Sequence, residues 1–133
     1  MSTKIFVNLA VNDLESSVEF FGKLGFGFNK QFSDDTASLM VVSDNISVML
    51  LTREKFKSFT PKEICDSTKS SEVLIALSTE SREKVDDMVA NAIAAGGTTY
   101  NEAKDHGFMY QHGFQDLDGH IFEVMWMDGS AIQ

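Results

Sequence analysis

The sequence has little cysteine and few positive charges, and each shortage excludes a class of protein. Cys65 is the single cysteine among 133 residues, so the chain has neither a disulfide framework nor a Cys-x-x-Cys metal or redox motif. Its 11 basic residues stand against 20 acidic ones, which gives a net charge of −9. A chain this acidic repels phosphate groups and anionic lipid headgroups, so we expect neither nucleic acid nor a membrane as a partner.

The sequence also lacks long apolar runs and several catalytic motifs. No segment approaches the roughly 18 apolar residues that a membrane-spanning helix needs, and no apolar stretch of the secretory kind follows Met1. We therefore expect a cytoplasmic protein. No glycine-rich phosphate loop and no Ser-His-Asp order is found. The hydrophobic fraction of 43% and the charged fraction of 23% are typical of an ordinary globular domain.

What is present is an ordered series of strand-like and helix-like segments. Residues 4–11 are rich in β-forming side chains and predict a strand. Asn12 or Asp13 then caps a helix that ends at Gly25, and Glu15 is placed three residues after Asn12, as in a capping box. Three further strands are predicted at 26–32, 37–43 and 46–51.

The second half repeats this order after a polar connector. Residues 52–72 hold the only proline and no strand pattern, which predicts a linker with one or two short helices. Residues 73–78 predict a buried strand, and Ser81 caps an amphipathic helix that ends at Gly96. Three more strands are predicted near 98–102, at 108–115 and at 121–127, the last two joined by a hairpin turn. His120 follows this turn and is expected at the surface.

These two series predict an α+β fold built from two βαβββ modules. We place module one at residues 4–51, a helical linker at 52–72 and module two at 73–127, within a single domain that spans residues 1–133. Duplicated modules of this kind can pair into a half-open mixed β-sheet barrel with flanking helices. Inward side chains of both modules would then line one cleft, a natural place for a ligand.

Two segments resemble the signatures of a known superfamily. Residues 9–26, LAVNDLESSVEFFGKLGF, resemble the opening of a vicinal oxygen chelate domain, and residues 116–124, DLDGHIFEV, resemble its closing strand. This superfamily includes glyoxalase I, extradiol dioxygenases, fosfomycin-resistance transferases and bleomycin-resistance proteins. The resemblance implies the two-module fold over nearly the whole chain. It leaves the function open, because the superfamily supports lyases, transferases, epimerases, dioxygenases and binding proteins on one scaffold.

The resemblance also implies where metal ligands would stand. The corresponding positions in this chain are Phe6, Met49, Val73 and Glu123. A divalent metal needs at least two or three oxygen or nitrogen ligands, and only Glu123 supplies one. We therefore expect no cofactor and no metal at the usual site, while a non-standard metal site around Glu123 stays open as an alternative.

Glu123 is a carboxylate within an otherwise apolar strand. Such a group can serve as a general acid or base, so Glu123 is the candidate catalytic residue. The alternative is that Asn8 or a tyrosine hydroxyl satisfies its hydrogen bonds and it does no chemistry. Methionine adapts to varied apolar ligands, and polar residues on the neighbouring strands can orient them. The predicted ligand-binding residues are Asn8, Met49, Tyr110, His112 and Met125.

Three hypotheses about function remain open at this point. The first is a glyoxalase/bleomycin-resistance-like protein that binds a small, partly apolar molecule in the barrel cleft and has lost the standard metal. The second is a metal-dependent lyase or isomerase, or a dioxygenase, of the glyoxalase I or extradiol dioxygenase type, which uses Glu123 with His112 or Asn8. The third is a dimerising module without a ligand. Short members of the family commonly pair, so a homodimer is expected.

Overall fold

The computed structural model describes residues 2–129 of the chain. The chain divides into two compact units between Cys65 and Asp66. Within the described residues, each unit holds a four-stranded mixed sheet with flanking helices, and neither sheet closes into a barrel by itself. The α+β class and both predicted βαβββ series are confirmed. No helix among residues 2–129 is long and apolar enough to cross a membrane.

The first unit contains four strands and two α-helices. They are β1 (Ile5–Val11), α1 (Leu14–Lys23), β2 (Gly27–Asn29), β3 (Ala37–Ser43), β4 (Ile46–Thr52) and α2 (Arg53–Lys57). The strand order in the sheet is β1-β4-β3-β2. β1 and β4 are parallel, and the other neighbours are antiparallel. The short helix α2 confirms a helical start to the predicted linker, and it packs against β1 and β4.

The second unit repeats the same arrangement with one long helix. Its elements are β5 (Leu74–Ser78), α3 (Arg82–Ala94), β6 (Lys104–Asp105), β7 (Met109–Gln115) and β8 (Ile121–Met127). The strand order is β5-β8-β7-β6. β5 and β8 are parallel, β8 and β7 form the predicted antiparallel hairpin, and β7 pairs with β6. The helix α3 packs on β7 and β8.

Side-chain caps fix where the long helices begin. The carboxylate of Asp13 accepts a hydrogen bond from the backbone amide of Ser16 at 3.1 Å, and the hydroxyl of Ser81 caps α3 in the same way. Each cap satisfies an amide that would otherwise lack a partner in the first turn. Because Asp13 is the cap, Glu15 is only two residues beyond it. The capping box that required Asn12 as the cap is therefore wrong.

The run at 26–32 is only partly a strand. Pairing with β3 is limited to Gly27–Asn29, and the next three residues form a 3-10 turn. The side chain of Asn29 accepts a hydrogen bond from the amide of Gln31 at 3.0 Å. This local bond caps the turn, so the chain leaves the sheet earlier than the apolar pattern predicts.

The strand predicted near 98–102 lies elsewhere. The edge strand that pairs with β7 is β6, and in the predicted range Thr98 makes one isolated bridge to Gln115. The side chain of Thr99 explains the difference, because its hydroxyl donates to the carbonyl oxygen of Gly113 at 2.7 Å. Beyond the backbone bridge at Thr98, a side chain therefore holds this segment beside β7 where a strand would continue with its backbone.

One face of each sheet carries an aromatic and aliphatic core. In the second sheet, the rings of Phe114 and Phe122 stack with centroids 5.3 Å apart, and both residues are fully buried. In the first sheet, Met40, Val48 and Leu50 share a buried face. These faces supply the packing that holds α3 and α1. The opposite faces carry Asn8 in the first sheet and Glu123 in the second.

Candidate functional site

β1 and β4 place Asn8 beside Met49. The parallel register pairs these two residues directly, so their side chains lie on the same side of the sheet. Phe6, two residues earlier on β1, shares that side and is 52% exposed. We call this side the Asn8 face, defined by Phe6, Asn8 and Met49. Two of the predicted ligand-binding residues therefore stand next to each other.

A cavity of about 410 Å³ adjoins the Asn8 face. Its volume lies within the range of roughly 300–1,000 Å³ that small-molecule pockets occupy. The hydroxyl of Thr52 accepts a hydrogen bond from the amide of Lys55 at 3.2 Å, which anchors α2 directly to the end of β4. The ring of Phe59 is 66% exposed, far more than a packed core ring. The lining residues are Asn8, Phe56, Phe59 and Thr60.

β8 places Glu123 at the centre of the second sheet. Glu123 pairs with Gly113 on β7 and with Ala76 on β5. Residues opposite each other in a sheet share a face, and we call this the Glu123 face, defined by Ala76, Gly113, Glu123 and Met125. Neither cross-strand neighbour has a side chain larger than a methyl group. Among residues 66–129, the Glu123 carboxylate has no hydrogen bond and no ion pair.

Gly113 makes room on this face for the ring of Tyr100. A Cβ atom at Gly113 would lie 2.2 Å from Oη, 2.6 Å from Cζ and 2.8 Å from Cε1 of Tyr100. The ring therefore covers the backbone of Gly113 on the side toward which Glu123 points. Burial raises the pKa of the Tyr100 hydroxyl above its usual value of 10, and the negative charge of Glu123 raises it further.

Tyr100 is a candidate functional residue that the reading of the sequence did not single out. It lies in the segment before β6, outside every strand of the sheet. The signal in the sequence is Gly113, because a glycine inside a strand often marks the close approach of another group. A glycine at position 113 therefore indicates that some group approaches β7 there, but it does not identify the residue that does so.

Tyr110 lies on the face opposite to Glu123. Its hydroxyl donates to Asp86 of α3 at 2.6 Å, and this bond is the main reason why the pKa of Tyr110 is raised. The Arg82 guanidinium of the same helix lies 5.5 Å from the Tyr110 ring centroid and 4.9 Å from that of Trp126. These contacts tie Tyr110 to α3.

His112 also faces away from Glu123, since it pairs with Val124 on the α3 side. Its Nε2 lies 3.0 Å from the carbonyl oxygen of Asn101 and 3.2 Å from the hydroxyl of Thr99. These bonds hold the segment before β6 against the sheet. The structure does not bring His112 or Tyr110 into one site with Glu123, and ligand binding by either residue stays a prediction.

The positions of the usual metal ligands can be tested against the observed strands. Phe6 and Met49 lie on the Asn8 face, and Glu123 lies on the face named for it. Val73 precedes β5, whose residues on the Glu123 face include Leu74 and Ala76. Phe6, Met49 and Val73 contribute a phenyl ring, a thioether and an aliphatic side chain, so the Glu123 carboxylate is the only strong donor in this set. The set does not fit a divalent metal.

A second group of potential ligands lies in the turn between β7 and β8. Single ligand atoms of Asp116, Asp118 and His120 fall within 4.8 Å of one another. Oδ1 of Asp116 accepts hydrogen bonds from the amides of Asp118 and His120 at 3.0 and 2.9 Å, and its Oδ2 lies 2.7 Å from Nδ1 of His120. These bonds account for the cluster as a stabilised turn. His120 is thus largely buried against Asp116, and its expected surface position is wrong because it completes this network.

Solved structures share this fold over nearly the whole chain. Hypothetical protein SA1046 from S. aureus is 29% identical, with a TM-score of 0.80, and the match covers 95% of this chain and 94% of that one. A glyoxalase-related enzyme from Fulvimarina pelagi is 18% identical, with a TM-score of 0.80 and coverages of 95% and 88%. TnmS3, an antibiotic binding protein from Streptomyces sp. CB03234, is 17% identical, with a TM-score of 0.68 and coverages of 96% and 97%.

No curated protein matches the chain. The family model described as Glyoxalase/Bleomycin resistance protein/Dioxygenase superfamily matches residues 5–124. This match confirms the resemblance inferred from the opening and closing segments of the sequence. Since it covers most of the chain, the protein belongs to the glyoxalase/bleomycin resistance protein/dioxygenase superfamily.

Proposed function

We propose that this protein binds a small, partly apolar molecule without needing a resident metal. The observation that carries the proposal is the cavity of about 410 Å³ beside Asn8, which has two phenylalanine rings in its wall. An apolar wall with a few polar groups is the usual composition of a small-molecule site. The amide of Asn8 would orient the ligand, and the flexible side chain of Met49 would adapt to its shape.

Several observations support this proposal. The ring of Phe59 stays 66% exposed although it is apolar, and a ligand would remove part of that ring from water. The residues at the usual metal positions do not fit a divalent ion, which favours binding over metal-dependent chemistry. Another protein with this fold binds a ligand, since TnmS3 is an antibiotic binding protein. We further propose a homodimer in the cytoplasm, on the expectations drawn from the family resemblance and from the sequence.

The proposal predicts that a neutral apolar probe binds beside Phe59. The probe is N-phenyl-1-naphthylamine, whose fluorescence rises when it leaves water. We expect Phe59→Ser to weaken its binding about tenfold, because removing an aromatic wall loses roughly 1.5 kcal/mol or more of apolar burial. The matched control is Phe32→Ser, which changes another exposed ring that does not line the cavity. Absence of probe binding, or equal losses in both variants, would refute the proposal.

The second candidate function is an enzyme of the glyoxalase or dioxygenase type that uses Glu123. The favouring observation is that its carboxylate has no hydrogen bond among residues 66–129 and lies near the Tyr100 hydroxyl. A carboxylate of this kind is available to take a proton. The deciding measurement is the metal content of the purified protein by mass spectrometry, with thermal shifts after adding Ni²⁺, Zn²⁺, Mn²⁺ or Fe²⁺. A stoichiometric metal that Glu123→Ala removes would favour the enzyme; we expect neither metal nor shift.

A further inference from the structure

We propose that the Glu123 face binds a protonated amine, with the Glu123 carboxylate as counter-ion and the Tyr100 ring as an aromatic wall. This inference goes beyond the proposed function, because the Glu123 face belongs to the second unit and the cavity beside Asn8 belongs to the first. It also gives a role to Tyr100, which lies outside the strands of the sheet. The two groups come from separate parts of the second unit and meet over Gly113.

The Glu123 carboxylate lies among neighbours that do not neutralise its charge. Its direct neighbours across the strands, Gly113 and Ala76, carry no hydrogen-bond donor in their side chains. Lys104 is the basic residue whose register places it on this face, opposite Gln111 on the edge strand β6. It stands two strands away from Glu123, roughly 10 Å, and forms no ion pair with it within the described residues. A half-buried carboxylate without a counter-ion favours a cationic partner.

Hydrogen bonds next to Tyr100 fix the position of its ring. The Thr99 hydroxyl donates a hydrogen bond to the carbonyl oxygen of Gly113. The backbone amide of Thr98 donates to the carbonyl oxygen of Gln115 at 3.2 Å, and the amide of Gln115 donates to the carbonyl oxygen of Thr98 at 2.7 Å. These bonds hold the residues just before Tyr100 against β7. The ring is 40% exposed, so part of its surface remains available to a ligand. An aromatic ring attracts a cation by roughly 0.5–2 kcal/mol, depending on desolvation.

Met125 adds an apolar surface to the Glu123 face. Met125 neighbours Glu123 along the same side of β8 and pairs with Gln111 and Ser78. A thioether is apolar and polarisable, so it suits the hydrocarbon part of an amine ligand. The chain as a whole carries a net charge of −9, which attracts cations over longer range. A carboxylate, a ring and a thioether on one face thus match an amine with an apolar body.

The test compares three probes of similar size and different charge. They are phenethylamine, which is protonated at neutral pH, the neutral 2-phenylethanol and the anionic 3-phenylpropionate. Affinities are measured by protein-observed NMR, following the amide of Gly113, with EDTA present so that no metal bridges the amine to the protein. We expect phenethylamine to bind about tenfold more tightly than 2-phenylethanol, and 3-phenylpropionate to bind more weakly than either.

Variants assign this preference to the two side chains. Glu123→Gln should abolish the advantage of the amine over the alcohol, and Tyr100→Leu should reduce it about threefold. Tyr100→Phe keeps the ring and should retain most of the advantage. The matched control is Glu83→Gln, which makes the same change in net charge on α3, the helix on the other face of the sheet. We expect this control to leave the preference unchanged.

The outcomes separate this inference from the proposed function. Equal binding of the amine and the alcohol, or an amine preference that survives Glu123→Gln, would overturn the inference and leave the proposed function intact. If N-phenyl-1-naphthylamine binds beside Phe59 and none of the three probes binds, the inference is likewise overturned and the proposed function stands. Failure of all four probes to bind would refute both.

Discussion

Replacing Gly113 with alanine should displace the Tyr100 ring. The added Cβ would lie 2.2–2.8 Å from three atoms of that ring, closer than atoms can approach. Gly113 lies inside β7 with regular pairing on β8, so the backbone itself accepts alanine. The contact is with a side chain that can rotate away, and we therefore expect the fold to survive while the ring moves off the strand.

The cost of this displacement follows from the burial of Tyr100. The residue is 40% exposed, and an aromatic side chain buries roughly 150–250 Å² when fully covered. Losing the covered part would expose about 120 Å², or about 3 kcal/mol at 25 cal/mol per Å². The ring will keep some contacts, so we expect Gly113→Ala to lower the free energy of unfolding by about 2 kcal/mol, within the usual range for overpacking.

A double-mutant cycle measures whether the ring is the cause. In a Tyr100→Ala background, Gly113→Ala meets no ring and should stabilise the protein by about 0.5–1 kcal/mol, because alanine loses less backbone entropy than glycine. The expected coupling energy is therefore about 2.5–3 kcal/mol. Gly27→Ala is the matched control, since that strand glycine has nothing within 4 Å of its added Cβ. Chemical denaturation supplies each value, and a coupling near zero would show that Tyr100 does not cover Gly113.

Two further predictions test the electrostatics of the second unit. The chain has only two tyrosines, so Tyr110→Phe leaves Tyr100 as the sole phenol. Its ultraviolet titration should show a pKa above 10 that Glu123→Gln lowers, and an unchanged pKa would contradict the proximity of the two groups. Because the folded-state pKa is raised, stability should fall as the pH rises from 10 to that pKa. Asp116→Ala removes an acceptor of three hydrogen bonds and should cost about 2–3 kcal/mol in chemical denaturation; a cost below 0.5 kcal/mol would count against the turn network.

The order of the elements could be predicted because it depends on local patterns. Runs of β-forming residues identified β1, β4 and β8, and side-chain caps followed by helical spacing identified α1 and α3. The errors fall where side chains replace backbone pairing. Asn29 caps a turn in place of extending β2, and Thr99 binds β7 by its hydroxyl although its neighbours have high strand propensity. Propensity describes the residue itself and cannot reveal its distant partner.

The candidate site was predictable in part, because parity along a strand assigns residues to faces. It correctly placed Asn8 with Phe6, and Glu123 with Met125. Parity could not decide which face of β7 is covered by α3. Tyr110 and His112 share one face of β7, and the sequence pattern is the same whether α3 covers that face or the other. The cation–π and hydrogen-bond partners of Tyr110 on α3 settle this point, and those partners lie more than twenty residues away in sequence.

Two glycines show how much of a site depends on contacts that no local pattern describes. Gly119 has a φ of 89°, and a Cβ there would lie 2.6 Å from the carbonyl oxygen of Ser67, so the turn before β8 needs glycine for both conformation and space. At position 113, glycine is needed for space alone, and the Tyr100 ring fills that space. Gly119 permits the turn that leads into β8, the strand that carries Glu123, while Gly113 leaves space for the Tyr100 ring beside the Glu123 carboxylate. A change at Gly119 should therefore act on stability, whereas a change at Gly113 should also alter the surface that we propose for amine binding.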